Sequence, residues 1–150
     1  MFTKDLSFGG VKSKVAGNVF YEEYPAEPAP HVLNGMIFSL FGLYDYVRAV
    51  ENNKLAVDLF TAGIDSVRNL ALEYDIGFWT KYDLYDREIE EKNINPATAH
   101  YHNIHIKQMM VLYKITNDDK FKKIIDKWQD YEQNKLNVVR RHFLKFKYLR

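Results

Sequence analysis

Cysteine is absent from these 150 residues. That excludes a disulfide framework, a thiolate nucleophile and a cysteine-ligated zinc site. Excess charge of one sign is also missing: 21 Lys and Arg stand against 20 Asp and Glu, a net of +1. The chain as a whole therefore makes no case for nucleic acid or an anionic membrane. No apolar run approaches the length of a membrane span, and the opening MFTKDLSFGG has no signal-peptide core, so as written the chain is expected to stay in the cytoplasm. What is present is ordinary globular material, 47% hydrophobic, and that argues against disorder and for one domain with a real core. Aromatic residues reach 15%, with 11 Tyr and 10 Phe, which suits sugar-stacking sites and large cores alike.

Three of the four prolines, Pro25, Pro28 and Pro30, fall close together after Tyr21-Glu22-Glu23-Tyr24. Proline fixes φ and biases its predecessor away from the helical region, so this run is expected to be a stiff, extended loop. Residues 1–20, with Gly9, Gly10 and Gly17, read as an irregular lead-in with a strand through Asn18 to Glu22. From Val32 to about Glu51, Leu33, Met36, Ile37, Leu40, Phe41, Tyr44 and Val47 recur at helical spacing. Gly35 and Gly42 lie inside that helix on one face, each costing about 1 kcal/mol against Ala, as expected where something must come close. After Glu51-Asn52-Asn53 a second helix is predicted over Lys54 to Tyr74, making a helical hairpin.

Asp75-Ile76-Gly77 is a turn signal, and Phe78 to Leu84 is aromatic and β-branched enough for a short extended segment. Asp86 to Asn95 reads as a charged, exposed loop closed by Pro96. A third helix follows from about Thr98 to Ile115. Thr116 to Asp119 caps a fourth that runs to about Gln133. The tail, Lys135 to Arg150, holds six basic residues and no acidic one, with an apolar stripe of Leu136, Val139, Phe143 and Phe146. It suits either the packed last helix of a bundle or contact with an anionic polymer or membrane surface. The fold class expected is all-α: antiparallel hairpins forming part of an (α/α) toroid, with a short β-like segment near 78–85.

Chemistry concentrates in three segments: Tyr21 to Pro25, Tyr82 to Arg87, and His100 to Gln108. His102 and His105 share a helix face, but a pair alone holds no metal and neither Glu-x-x-His nor His-Glu-x-x-His occurs, so no metal is expected. No strand-turn-helix elbow supports a serine triad. Tyrosine remains, with carboxylate, histidine and cations. A tyrosine whose pKa is lowered can take a proton from a carbon beside a carboxylate, and a second can return one on the opposite face. That chemistry serves epimerisation or β-elimination, and residue types alone leave both open.

Glu22-Glu23-Tyr24-Pro25, Val32-Leu33-Asn34-Gly35 and Ser39-Leu40 with Gly42-Leu43-Tyr44-Asp45 together resemble the C-terminal domain of the D-glucuronyl C5-epimerase family. Gly9-Gly10-Val11, Tyr82-Asp83-Leu84, Tyr101-His102, His105-Ile106 and Gln108 are similar to the same family in the same order, over roughly residues 8–133. The resemblance implies inversion of C5 in D-glucuronic acid residues of an acidic, heparosan-like polysaccharide, with no organic cofactor. It implies Tyr24 and Tyr101 as acid and base, Tyr82 beside them, and Glu23 orienting or polarising one of them. Asn34, Tyr85, Arg87, His102 and His105 are then candidates for contacting or supporting the substrate.

Two departures stand out. An arginine is expected after Tyr-Asp-Leu, but Tyr85 occupies that position and Arg87 lies two residues on. The family's enzymes also carry an upstream β-domain and further toroid helices, which these residues do not supply. Exposed apolar helix faces, and hence a homodimer or a missing partner chain, are expected. A related polysaccharide lyase and a non-catalytic carbohydrate-binding or assembly module stay open as alternatives.

Overall fold

The structure, a computed structural model, describes residues 1–88 and 94–149. The chain is mainly helical, and among the described residues its one sheet has two strands, so the all-α class holds. It divides into two compact units, Met1–Leu70 and Ala71–Arg150.

The first unit begins with a 3-10 turn, Leu6–Phe8, and a hairpin of β1, Lys12–Val15, and β2, Asn18–Tyr21, with Lys12 opposite Tyr21 and Val15 opposite Asn18. The lead-in expected to be irregular is thus built structure. Its two-residue turn, Ala16-Gly17, has both φ values positive, at 48° and 76°. That matches the twist of the strands, yet Ala gives no hint of such a turn. Helices α1, Leu33–Ala49, and α2, Lys54–Leu70, form the expected helical hairpin. The sheet is fastened to it: the Tyr21 hydroxyl donates to the Leu59 carbonyl at 2.8 Å, and the Tyr21 N–H donates to Met36 Sδ. Phe20, Tyr21, Val32, Leu33, Met36, Ile37, Leu40, Ile64 and Val67 form the buried core. A Cβ on Gly63 would strike Leu40 and Tyr21, so glycine lets the two helices and the sheet meet there.

In the second unit a 3-10 turn, Ala71–Tyr74, replaces the expected last turn of the second helix. No strand forms over 78–84. Instead single bridges join Asp75 to Thr80 and Lys81 to Pro96, because Trp79 and Thr80 turn into the core. A four-residue helix, α3, spans Tyr85–Glu88 at the start of the run predicted as a loop, and residues 89–93 of that run lie outside the described residues. Asn95, at the far end of it, is buried: its amide donates to Asp83 and accepts from Lys145, each at 2.6 Å.

Helix α4, Ala99–Thr116, is capped by the Thr98 hydroxyl, and α5, Asp119–Gln133, by the Asp118 carboxylate. The apolar stripe of α5, with Phe121, Ile124, Ile125, Trp128 and Tyr131, is buried. Asp75 ties α5 to the preceding loop, accepting from the Trp128 indole, the Tyr131 hydroxyl and Lys127. Burial pushes the Asp75 carboxyl up, but the hydrogen bonds from the Gly77 N–H, Lys127, Tyr131 and Trp128 outweigh it and leave the pKa lowered. Helix α6, Lys135–Tyr148, follows. Among the described residues no helix is long and apolar enough to cross a membrane.

Candidate functional site

In the first unit, Glu22 and Glu23 are neighbours with opposite fates. Glu22 is buried and faces His31, which is also buried. Its carboxylate accepts from the His31 backbone N–H at 3.0 Å and the His31 Nδ1 at 2.6 Å, and from the Ser13 hydroxyl at 2.5 Å. His31 has φ 52°. A left-handed conformation costs a non-glycine residue about 1–3 kcal/mol, and persists only where its surroundings fix it. Glu22 fixes it here, closing the proline-bearing segment 23–30 into a loop whose ends are tied together.

That loop carries Glu23 and Tyr24, both exposed. The side chain of Glu23 lies on the first turn of α1: its Cβ and Oε2 are 2.5 Å from where a Cβ on Gly35 would stand. The first turn of α1 contains no acidic residue and no side chain caps it. A carboxylate there is favoured by the helix dipole and the unpaired N–H groups. Gly35 is thus explained by close approach, whereas Gly42 meets nothing within 4 Å and lines an open apolar groove of about 520 Å³ with Phe2, Leu43, Tyr46, Leu55 and Leu59. Asn34 is buried at the start of α1. Tyr21 opens the same sequence segment but is a core residue, and burial pushes its hydroxyl up to about 12, which removes it as a base.

In the second unit Tyr82 and Tyr101 come together. Their rings meet edge to face, with centroids 4.8 Å apart, and both are half-buried. Tyr101 is placed by the cap of α4, its N–H donating to Thr98 Oγ1, and its ring also touches His100. Tyr82 is placed by its backbone N–H on the Asn95 carbonyl at 2.8 Å. Tyr85 opens α3, its N–H on the Asp83 carboxylate. Arg87 is exposed and paired with Glu73 at 2.8 Å.

His102 and His105 are fully buried. His102 stacks on Trp79 at 4.0 Å. Its Nε2 is 3.0 Å from the Trp128 carbonyl, an acceptor, so Nε2 carries the proton. Nδ1 then accepts from the Thr80 hydroxyl at 2.8 Å, and Thr80 Oγ1 in turn accepts from His105 Nδ1 at 3.2 Å. Burial lowers His102 to about 4 and His105 to about 3, so both imidazoles are neutral near pH 7. This chain of hydrogen bonds fixes Thr80, two residues before Tyr82, and the face of α4 behind Tyr101. Among the described residues no group of three or more His, Asp or Glu is placed to hold a metal ion.

Sequence reasoning did not single out Ser13, His31, Trp79 or Thr80. Their partners lie 9 to 25 residues away, and no local pattern announces such pairing.

The family model for the D-glucuronyl C5-epimerase C-terminus matches residues 1–130. The D-glucuronyl C5-epimerase of Caenorhabditis elegans is 34% identical over 146 residues, which takes in 90% of this chain and 24% of that protein. An uncharacterized protein of Methanocaldococcus jannaschii is 30% identical over 111 residues, 74% of this chain and 33% of that one. The chain spans about a quarter to a third of the length of these curated relatives.

Proposed function

The chain belongs to the D-glucuronyl C5-epimerase C-terminal family, and on that premise we propose that it takes part in inverting C5 of glucuronate residues in an acidic, heparosan-like polysaccharide. The observation that carries this reading is the Tyr82–Tyr101 pair, two half-buried tyrosines whose rings meet edge to face from separately anchored segments. The C5 proton of a uronate lies beside a carboxylate, so its removal builds negative charge on the carboxylate oxygens. A tyrosinate takes the proton, and a tyrosine on the other face of the ring delivers one to the opposite side. Tyr101 supplies proton exchange in the second unit, with Tyr82 packed against its ring. Within the first unit, Tyr24 is a separate candidate for proton exchange, and Glu23, set against α1, orients or polarises it. His102 and His105, buried as they are, serve by holding the Thr80–Tyr82 segment and α4.

The homodimer or partner chain expected of a partial toroid belongs to the same proposal. It is supported by Phe38, Tyr46 and Leu55 on α1 and α2, all exposed. The non-catalytic alternative draws on one observation: Arg87, the nearest candidate for neutralising the uronate carboxylate, is paired with Glu73.

Isotope exchange tests the proposal. Incubated with N-sulfated heparosan in heavy water, the protein is expected to place deuterium at C5, read by NMR, and Tyr101→Phe to abolish it. Exchange with accumulation of an unsaturated uronide would mark a lyase instead. Absence of exchange on every glucuronate polymer, from folded protein, would leave the binding or assembly module.

A further inference from the structure

The buried residues of helix α6 are polar, Asn137 and Arg141, with Val138, Leu144 and Tyr148 half-buried beside them; Asn137 donates to the Tyr131 carbonyl and Arg141 lies over the Trp79 ring. Lys145, part-buried, holds Asn95. The outward face carries Leu136, Val139, Phe143 and Phe146, each between 55% and 74% exposed. They recur at i, i+3, i+7 and i+10, one continuous stripe on a helix of 3.6 residues per turn. Lys135, Arg140 and Lys147 are exposed beside it, and no acidic residue occurs from Lys135 to the end of the chain. A largely apolar groove of about 560 Å³, lined by Ile76, Phe78, Ile94, Val139, Arg140, Phe143 and Leu144, with the Arg140 guanidinium over the Phe78 ring, continues the stripe sideways. The family model's match ends at residue 130, before α6 begins.

We propose that α6 docks this face on an anionic lipid surface, the stripe entering the headgroup–acyl boundary and the basic rim meeting acidic headgroups. Charge selects this occupant. A second copy would bring another α6 with basic residues and no acidic ones, and like charges oppose that pairing. A polysaccharide would satisfy the cations but leave Leu136, Val139 and the phenyl rings largely in water. A membrane surface satisfies both, and a helix with an apolar stripe bordered by lysine and arginine is what lies in such an interface. The inference is independent of the epimerase reading.

Co-sedimentation of the full chain with phosphatidylcholine vesicles, with and without phosphatidylserine, is the test. Binding is expected on the phosphatidylserine vesicles at least about tenfold above the neutral ones, and to weaken in high salt. The pair Phe143→Ser with Phe146→Ser should abolish it with the far-ultraviolet circular dichroism unchanged, since neither residue is in the core. The pair Arg140→Gln with Lys147→Gln should weaken it and flatten its salt dependence. The proposal falls if the folded protein does not pellet with acidic vesicles, or if the phenylalanine variant pellets undiminished. It falls equally if that variant instead loses a dimer seen in sedimentation velocity, or loses only heparosan binding.

Discussion

In the first unit a buried histidine, His31, faces a carboxylate, Glu22, with the Ser13 hydroxyl at the same oxygen. In the second, two buried histidines flank a hydroxyl, Thr80, among Trp79 and Trp128. Both clusters stand directly behind residues proposed for the chemistry, and each solves a different problem. Segment 22–31 is a loop with a strained residue at its end, and a buried side chain that accepts several hydrogen bonds holds it. The segment around Thr80 already has backbone partners, so neutral imidazoles that complete a hydrogen-bond chain inside an aromatic core suffice. A carboxylate suits the site that must be clamped, and neutral rings suit the site that must stay dry.

The comparison breaks most visibly where the second cluster loses its centre. His102→Ala removes a fully buried ring stacked on Trp79 and leaves Thr80 and the Trp128 carbonyl without their partner. A loss of about 3–5 kcal/mol in urea unfolding is expected, in the range of other large buried rings cut to alanine. Acid tests the same cluster without mutation. With folded pKa values depressed to about 4 and 3, the histidines contribute stability that is fully present above their unfolded value near 6.5. It is lost progressively as pH falls from there through about 4 and toward about 3, because the unfolded chain binds protons that the folded one refuses. Both tryptophans, Trp79 and Trp128, belong to the second unit, so their fluorescence should report the acid midpoint of that unit, and His102→Phe should shift it to lower pH. The smallest stability change is expected in the first unit. Gly35→Ala improves helix propensity by about 1 kcal/mol but places a methyl group where the Glu23 side chain lies. Unfolding should stay within about 1 kcal/mol of the parent while C5 exchange falls, separating the placement of Glu23 from stability.

Much of the fold was legible because helices announce themselves locally. The spacing of Leu33, Met36, Ile37 and Leu40, the Thr98 and Asp118 caps and the Asn52-Asn53 break located four helices to within a few residues. The hairpin at Lys12–Tyr21 was only half legible, since Ala16 at positive φ is a choice that tertiary packing makes. The extended segment expected at 78–84 forms only isolated bridges, at Thr80 and Lys81, because its aromatic, β-branched composition serves burial of Trp79 and Thr80 and not a ladder. The family resemblance marked Glu23, Tyr24, Tyr82 and Tyr101, while residue chemistry by itself placed Glu22 no differently from Glu23 and His102 no deeper than His100.

From the sequence alone came the helical periodicity, the glycine inside α1, the basic and apolar content of α6 and the motifs that mark the family. All are properties of neighbours within a few residues, where spacing along the chain is distance in space. Only the tertiary structure decided which of two adjacent glutamates is buried on His31 and which lies on Gly35. It decided too that Tyr82 meets Tyr101, that His102 and His105 are neutral core groups, and that the stripe of α6 faces outward while that of α5 is covered. Those outcomes depend on partners many residues away, and burial and desolvation are set by what the folded chain brings near.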